Sequence, residues 1–185
     1  MCFCLGTGGV STFALKLARV SGLRIILTSS SDEKLNSLKT KFRHPEIQTV
    51  NYKTNPNWHN EVLALTNGVG VDLVVENGGS SSLVQSMLCT RRGGTVSVVG
   101  YLGEQKPEHL KDFVSTIIDR RLNVRGINAG SKEDQEDLMA AIEATQMTFE
   151  DIIDSTWEFE RADEAIEFVW QGRQVGKVVV DLDKR

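Results

Sequence analysis

A glycine-rich turn close to residue 1 carries the clearest chemical signal in the sequence. The segment GTGGVS, residues 6–11, follows a short apolar run and opens into a helical pattern. In a dinucleotide-binding turn the first glycine permits a tight bend, the second lets a pyrophosphate reach the backbone, and the next helix supplies free amides. Gly6 and Gly8 occupy these two positions, and Ser11 stands where a third glycine is usual. The spacing predicts a pyrophosphate site, with a plain turn lacking a ligand as the alternative.

The end of the second strand indicates which dinucleotide would bind. It reads RIILTSSSDEK and ends on the hydroxyl residues Thr28, Ser29 and Ser30, where an NAD-preferring site places a carboxylate. Hydroxyl groups can donate hydrogen bonds to a 2′-phosphate, and Lys34, one turn into the following helix, can pair with it. We therefore expect NADP(H) to be preferred over NAD(H), with a solvated helix lysine as the alternative for Lys34.

Six short runs rich in valine, isoleucine and leucine alternate with helical patterns and must position these residues. Their continuous apolar character is typical of strands buried on both faces, and they fall at residues 2–5, 24–28, 47–51, 71–76, 95–99 and 122–127. Strand followed by helix, six times over, favours parallel crossover units. The pattern predicts an α/β fold, a Rossmann-type doubly wound six-stranded parallel sheet.

Local signals predict where several helices begin. Ser30 and Glu33 form a capping-box pattern before the second helix. Asn55 followed by Pro56 suits the N-cap and first position of the third helix. Ser131 can cap the sixth helix.

The last 35 residues have a different organisation, and we treat residues 151–185 as a separate segment after a domain at residues 1–150. They contain a short strand pattern at 155–159, a helix at 162–171, a turn at 172–176 and an apolar run at 177–182. This last run has no obvious antiparallel partner within the chain, and an exposed apolar edge is an aggregation hazard. We therefore expect it to join a sheet outside this chain.

Composition and charge argue against several classes of partner. The 185 residues carry a net charge of −4 with scattered basic residues, which argues against nucleic acid as the main partner. No stretch approaches the roughly 18 apolar residues needed to cross a bilayer, and residues 1–5 lack the features of a secretory signal. We expect no membrane contact and a cytoplasmic location.

The residue types that bind metals are too dispersed to predict a metal site. Cys2 and Cys4 would point to one face of a strand, and Cys89 is far from both in the sequence. The three histidines, at positions 44, 59 and 109, are isolated. We expect buried thiols that act as small hydrophobic groups, and no zinc bound by this chain.

The succession of motifs resembles the medium-chain dehydrogenase/reductase superfamily. GTGGVS, TSSSDEKL, VNYK, GVDLVVENGG, RRGGTVSVVGYLG and QVGKVVVDL occur in the order and spacing of that superfamily across nearly the whole chain. Within it, the sequence is similar to zinc-type alcohol dehydrogenase-like and quinone oxidoreductase-like members. The resemblance implies a two-domain enzyme, in which a Rossmann domain binds NAD(P)H and an N-terminal, partly open barrel carries the catalytic residues.

The resemblance also implies a set of coenzyme-binding residues. The pyrophosphate would be lined by Gly6, Gly8, Gly9 and Val10, and the 2′-phosphate by Ser29, Lys34 and Tyr52. The ribose path would be lined by Asn77 and Gly78. The nicotinamide side would be lined by Gly100 and Tyr101, and Asn128 follows the sixth strand. Two positions depart from the commoner pattern of the superfamily. Ser11 replaces a glycine, and Glu76 with Asn77 stands where many members have aspartate and a small residue.

The implied function is that of the NADP(H)-binding domain of an oxidoreductase. Such an enzyme transfers hydride between nicotinamide and an alcohol, a carbonyl or an activated alkene. The zinc ligands and other catalytic residues of the superfamily would lie before residue 1, so we assign no catalytic residue and expect coenzyme binding without turnover. Residues 151–185 would return to the catalytic domain, and the sixth strand would form a homodimer contact. The alternatives are a non-catalytic interaction module and, disfavoured by the missing second-strand carboxylate, a methyltransferase.

Overall fold

The main sheet has six parallel strands. Their bounds are β1 Cys2–Leu5, β2 Ile25–Ser29, β3 Gln48–Asn51, β4 Val71–Glu76, β5 Thr90–Val98 and β6 Asn123–Gly126. In the computed structural model, which describes residues 1–183, these strands lie in the order β3-β2-β1-β4-β5-β6. Every neighbouring pair is parallel, so the predicted doubly wound sheet is confirmed.

Helices connect the strands and cover both faces of the sheet. Their bounds are α1 Gly9–Val20, α2 Asp32–Lys41, α3 Trp58–Leu65, α4 Ser80–Leu88, α5 Phe113–Arg120, α6 Lys132–Thr145 and α7 Ala162–Trp170. Among residues 1–183, no helix combines the length and the apolar character that a membrane span requires.

The side chains of each central strand alternate between two hydrophobic clusters. In β1, Phe3 enters the cluster under α3, α4 and α5, where its ring stacks on Trp58 at a centroid distance of 5.2 Å. Cys2 and Cys4 point the other way, into the cluster that contains Leu15 of α1 and Leu38 of α2. Because both faces are buried, every residue of β1 and β2 is apolar or small, as the continuous runs in the sequence indicated.

The second helix begins at a different serine from the one predicted. The N-cap of α2 is Ser31, whose hydroxyl oxygen accepts a hydrogen bond from the Lys34 amide at 3.3 Å. Ser30 lies before the cap and is exposed, so the capping box of Ser30 with Glu33 is wrong. Consecutive serines offer several caps to one helix, and the choice depends on where the strand before them ends.

The third helix starts at Trp58, and the sixth starts as predicted. Asn57, rather than Asn55, is the N-cap of α3, and Asn55 instead accepts the Asn57 amide in a local turn at 3.2 Å. The prediction that Asn55 and Pro56 open this helix is therefore wrong. Ser131 caps α6, and the Asp134 carboxylate completes a capping box, so that prediction is confirmed.

Residues 153–181 form a strand–helix–strand unit with its own small sheet. β7, Ile153–Glu158, and β8, Lys177–Asp181, pair in parallel on either side of α7. Within the described residues the last strand has no antiparallel partner, as the sequence indicated, but it does pair in parallel with β7, which the sequence did not predict. That it also joins a sheet outside this chain stays a prediction. The unit contacts the main domain through Gly176, whose amide donates to the Thr7 carbonyl at 2.9 Å.

Candidate functional site

A cleft lies at the carboxyl ends of the strands, at the point where the strand order reverses. β1 lies between β2 and β4. From β1 the strand order continues through β2 and β3 to one edge of the sheet, and through β4, β5 and β6 to the other edge. The cleft has a volume of about 660 Å³ and opens beside the glycine turn. Ligand sites of this size are usual in proteins, and open parallel sheets bind ligands at this switch point.

The glycine turn has the geometry of an anion site. Gly6 has a φ of +84°, which favours glycine, and its amide donates to the Thr28 carbonyl at 2.9 Å. Gly8 is the N-cap of α1, and no side chain among residues 1–183 caps this helix. A Cβ at Gly8 would project into open space. The first turn of α1 therefore offers amide groups and a partial positive charge to a ligand in the cleft.

Ser11, which replaces the third glycine, is part of a small buried hydrogen-bond network. Its hydroxyl donates to the Leu5 carbonyl at the end of β1. The Asn77 side-chain amide, at the end of β4, donates to the Ser11 oxygen at 2.9 Å and to the Leu5 carbonyl at 3.0 Å. The two departures from the superfamily pattern, Ser11 and Asn77, are thus in direct contact and together join β1, α1 and β4 beneath the cleft.

Lys34 is the cationic group of the cleft. Its ammonium donates to the carbonyls of Gly172, at 2.5 Å, and Gln174, at 3.1 Å. Both acceptors are neutral, and no carboxylate pairs with Lys34 in the part of the chain that the structure describes. No carboxylate in the described residues therefore competes for this ammonium, and an anionic group at the rim of the cleft would be attracted.

The hydroxyl groups at the end of β2 are less available to a ligand than Lys34. Thr28 lines the cleft, but its hydroxyl donates to the Val50 carbonyl at 2.7 Å. Ser29 is buried, and its oxygen lies 3.3 Å from the Ser31 amide, from which it accepts. Of the groups predicted to surround a 2′-phosphate, Lys34 and Tyr52 line the cleft.

A fully buried carboxylate fixes the turn between β4 and α4. Glu76 has 0% exposure, and its Oε1 accepts from the amides of Gly78, at 2.7 Å, and Gly79, at 3.2 Å. The same oxygen accepts from the Ser82 hydroxyl at 2.6 Å, and Oε2 accepts from the Ser86 hydroxyl. The carboxylate lies at the N-terminus of α4, where negative charge is favourable, and it positions the cleft-lining backbone at Asn77 and Gly78.

One glutamine holds the loop after β5 against that turn. The Gln105 side-chain oxygen accepts from the Ser80 amide at 2.9 Å, which gives α4 a partner for its first amide. Its side-chain nitrogen donates to the carbonyls of Gly103, at 2.6 Å, and Tyr101, at 3.1 Å. Leu102, carried by this loop, is 95% exposed and is one of the residues that line the cleft.

The structure brings six of the predicted coenzyme-binding residues together in the cleft, namely Gly6, Gly8, Lys34, Tyr52, Asn77 and Gly78. The other seven lie outside its lining. Gly9 packs against the Lys177 side chain, Gly100 packs against the Asn77 backbone, Ser29 is buried, and the remaining four are exposed, namely Val10, Ser30, Tyr101 and Asn128. The coenzyme-binding roles of all thirteen residues remain predictions.

Several cleft residues were not anticipated from the sequence. The most consequential are Gly172 and Gln174, which come from the loop between α7 and β8 and form the outer rim beside Lys34. Thr7, Ser82 and Leu102 also line the cleft. The motif QVGKVVVDL begins at Gln174, but the sequence predicts only that the run at 177–182 leaves the domain, and nothing in the motif indicates that Gln174 lies at the coenzyme site.

The cleft fits a dinucleotide by the chemistry of its own residues. Its size, the open space above Gly8 and the uncapped α1 terminus suit a pyrophosphate, and the Lys34 charge suits a further anion. In addition, the Oε1 atom of Gln174 is buried and has no hydrogen-bond partner within residues 1–183. An enclosed acceptor without a donor is unusual in a native protein, and a ligand could supply one.

The residues present do not fit a zinc ion. Within residues 1–183, no group of three or more His, Cys, Asp or Glu side chains is arranged to hold a metal. Two of the three thiols, those of Cys4 and Cys89, are also poor ligands. Burial raises the pKa of Cys89 to about 12, and the contact with Cys2 together with burial holds the pKa of Cys4 well above its ordinary value. Metals bind thiolates, which these buried groups do not readily form.

The sheet order, the glycine turn at the switch point and the cleft define a Rossmann-type domain. The sequence profile of the zinc-binding dehydrogenase family matches residues 9–144. The chain belongs to this family.

Individual relatives agree with the family assignment. A zinc-type alcohol dehydrogenase-like protein of Schizosaccharomyces pombe is 39% identical over 180 residues, which are 97% of this chain and 51% of the relative. A crystal structure from Sinorhizobium meliloti, of a protein provisionally described as an alcohol dehydrogenase, superposes with a TM-score of 0.82 at 30% identity and covers 98% of this chain and 50% of that one. An NAD-dependent alcohol dehydrogenase gives a TM-score of 0.74 at 27% identity, covering 98% and 51%. The chain thus spans about half the length of these relatives.

Proposed function

We propose that this chain is the NADP(H)-binding domain of an oxidoreductase that transfers hydride between nicotinamide and an alcohol, a carbonyl or an activated alkene. The observation that supports the choice of coenzyme is the Lys34 ammonium at the rim of the cleft, beside a second strand that ends without a carboxylate. A carboxylate there would repel a 2′-phosphate, whereas a cation attracts it.

The residues of the chain bind and orient the coenzyme. Amide groups at Gly8 and the first turn of α1 would receive the pyrophosphate, and Lys34 would pair with the 2′-phosphate. The backbone at Asn77 and Gly78, fixed from below by Glu76, would line the path to the nicotinamide. The bound coenzyme supplies the hydride. We assign no proton donor and no metal ligand to residues 1–183, and we propose that the domain alone binds coenzyme without turnover.

Titration of the full chain with NADPH and NADH by isothermal titration calorimetry tests this proposal. We expect NADPH to bind with micromolar or weaker affinity and more tightly than NADH. Because one of the relatives is NAD-dependent, NAD(H) is the competing coenzyme. Lys34→Met should weaken NADPH binding about tenfold, the effect of one charge-assisted hydrogen bond, and leave NADH unchanged. Lys41→Met, at the other end of α2, is the matched control. Absence of NADPH binding at millimolar concentration would reject the proposal.

We further propose that residues 151–185 pack against a catalytic domain of the kind that the superfamily carries. α7 and β8 present an apolar groove lined by Ile166, Val169, Trp170 and Val178, together with Leu102 from the coenzyme cleft. Trp170 is 86% exposed, and exposed apolar patches of this kind mark protein contacts. The same groove favours the second candidate function, an interaction module that does not bind coenzyme. A melting temperature unaffected by NADPH, together with a stable protein partner, would favour that alternative.

Homodimerisation through β6 is a further proposal. β6 is the last strand of the sheet order, so one of its edges has no partner strand within residues 1–183. A second copy could extend the sheet by pairing with that edge. A monomer mass by light scattering at micromolar concentration would count against it. The cytoplasmic location remains a prediction from the sequence.

A further inference from the structure

The loop between α7 and β8 is fixed at both of its ends to the coenzyme cleft. At one end Gly172 and Gln174 accept the two hydrogen bonds from Lys34. At the other end Gly176 pairs with Gly8 and donates to the Thr7 carbonyl at 2.9 Å. Gly176 has a φ of +107°, and a Cβ there would lie 2.2 Å from the Ile152 carbonyl oxygen, so the path of the loop requires glycine. The loop therefore spans the cleft from the pyrophosphate turn to Lys34.

Gln174, in the middle of this loop, has a side chain whose hydrogen bonding is incomplete. Its Oε1 atom is buried and no group within residues 1–183 donates to it, although the residue lines the cleft. An unsatisfied buried acceptor destabilises the protein. Rotation of the side chain into the adjoining cleft would relieve this, provided that a ligand there donates a hydrogen bond.

The neighbouring charge indicates the chemistry of that ligand. Lys34 gives two of its hydrogen bonds to the loop and can give a third, with its full charge, to an anion in the cleft. Lys34 bonds to the main-chain carbonyl of Gln174, the residue whose side chain carries the unpaired acceptor. A cation and an acceptor that are brought together in this way suit a ligand with an anion next to a hydroxyl. The adenosine ribose of NADP has this arrangement, because its 2′-phosphate is next to its 3′-hydroxyl.

We propose that Gln174 is a coenzyme-binding residue that accepts a hydrogen bond from the 3′-hydroxyl of the adenosine ribose while Lys34 holds the adjacent 2′-phosphate. This inference rests on the proposed NADP(H) site and adds a residue from the C-terminal unit to it. The loop from Gly172 to Gly176 then forms the outer wall of the adenosine end, and the C-terminal strand pair contributes to coenzyme binding as well as to contact with a catalytic domain. Because NAD and NADP both carry the 3′-hydroxyl, the choice between them rests on Lys34.

Calorimetric titration of the full chain with 2′,5′-ADP and 5′-AMP, which represent the adenosine end alone, tests the inference. Gln174→Leu should weaken 2′,5′-ADP binding about three- to tenfold, the effect of one hydrogen bond. It should also raise the melting temperature of the free protein, because the buried unpaired atom is removed. Gln174→Glu should weaken 2′,5′-ADP, by charge repulsion, more than it weakens 5′-AMP. Gln171→Leu is the matched control, since Gln171 is exposed at the end of α7 and bonds to Glu167.

The outcomes separate this inference from the proposed function. If the wild-type chain binds neither NADPH nor 2′,5′-ADP, the proposed function fails and the inference fails with it. If the wild type binds both but Gln174→Leu binds as tightly as the wild type or the Gln171→Leu control, only the inference is overturned. A lower melting temperature together with weaker binding in Gln174→Leu would indicate a structural role and would also overturn it.

Discussion

Replacement of Glu76 by alanine should destabilise the domain more than most single substitutions. Its carboxylate accepts from the amides of Gly78 and Gly79 and from the hydroxyls of Ser82 and Ser86, and it is fully buried. The substitution would leave these four donors without their acceptor. Each unsatisfied buried donor costs about 1–3 kcal/mol, but water entering the space left by the side chain would recover part of this. We therefore expect a loss of about 3–5 kcal/mol in the free energy of unfolding, comparable to breaking a buried charged pair.

Denaturant unfolding followed by circular dichroism measures this loss directly. For a chain of this size each kcal/mol corresponds to about 2–4 °C in melting temperature, so we expect a decrease of roughly 6–20 °C. Glu76→Gln keeps an acceptor for three of the donors, and its new amide can donate to Ser86, so it should cost only about 1–2 kcal/mol. Glu164→Ala, which removes an exposed ion pair with Arg161, is the control and should leave the melting temperature close to that of the wild type.

The same substitutions test the link from this carboxylate to the cleft. Because Glu76 holds the turn that carries Asn77 and Gly78, Glu76→Ala should also weaken NADPH binding, whereas Glu76→Gln should preserve it. A Glu76→Ala protein whose free energy of unfolding lies within about 1 kcal/mol of the wild-type value would refute the reasoning, since the loss of four hydrogen bonds to a buried carboxyl group should destabilise the protein by more than this.

Two further predictions concern the thiols and acid stability. The three cysteines are buried, and burial raises the pKa of Cys89 to about 12. A thiol reagent at pH 8 should therefore label none of them rapidly in the native protein and all of them in guanidinium chloride. Rapid labelling of Cys2, Cys4 or Cys89 in the native protein would contradict the burial. At the start of α6, hydrogen bonds from the Ser131 amide and hydroxyl lower the pKa of Asp134 below its ordinary value. The stability that this cap contributes should therefore be present above about pH 4 and be lost as the pH falls through the lowered pKa of the folded state. The Asp134→Asn protein should unfold at a lower temperature than the wild type at pH 7, but not at pH 2.

The architecture of the sheet could be predicted from the sequence because its central strands are buried on both faces. Phe3, Ile26 and Val74 have 0% exposure and lie in runs with no polar alternation. Such runs, separated by helical patterns, admit few arrangements other than a doubly wound sheet. Where burial is incomplete the prediction was less accurate. β5 begins at Thr90 rather than at residue 95, and its pairing with β4 shifts between Val71 and Leu73.

The outer rim of the cleft could not be predicted in the same way. Lys34 and the Gly172 carbonyl are 138 residues apart in the sequence, and the contact depends on where the C-terminal unit sits on the glycine turn. Main-chain carbonyls can belong to any residue type, so no local pattern identifies them as partners of a lysine. The parallel pairing of β7 with β8 is hard to predict for a related reason, because a helix and a loop connect the two strands in place of the tight hairpin turn that marks an antiparallel pair.

The hydrogen bond between Ser11 and Asn77 makes these two positions interdependent. Ser11→Gly, which would restore the residue usual in the superfamily, removes an acceptor of the Asn77 amide, and a change at Asn77 removes a donor to the Ser11 hydroxyl. The effect of either substitution should therefore depend on the residue at the other position, with the double change milder than the sum of the two single changes. Among related sequences this predicts epistasis, in which glycine at the position of Ser11 and a small residue at the position of Asn77 are exchanged together rather than one at a time.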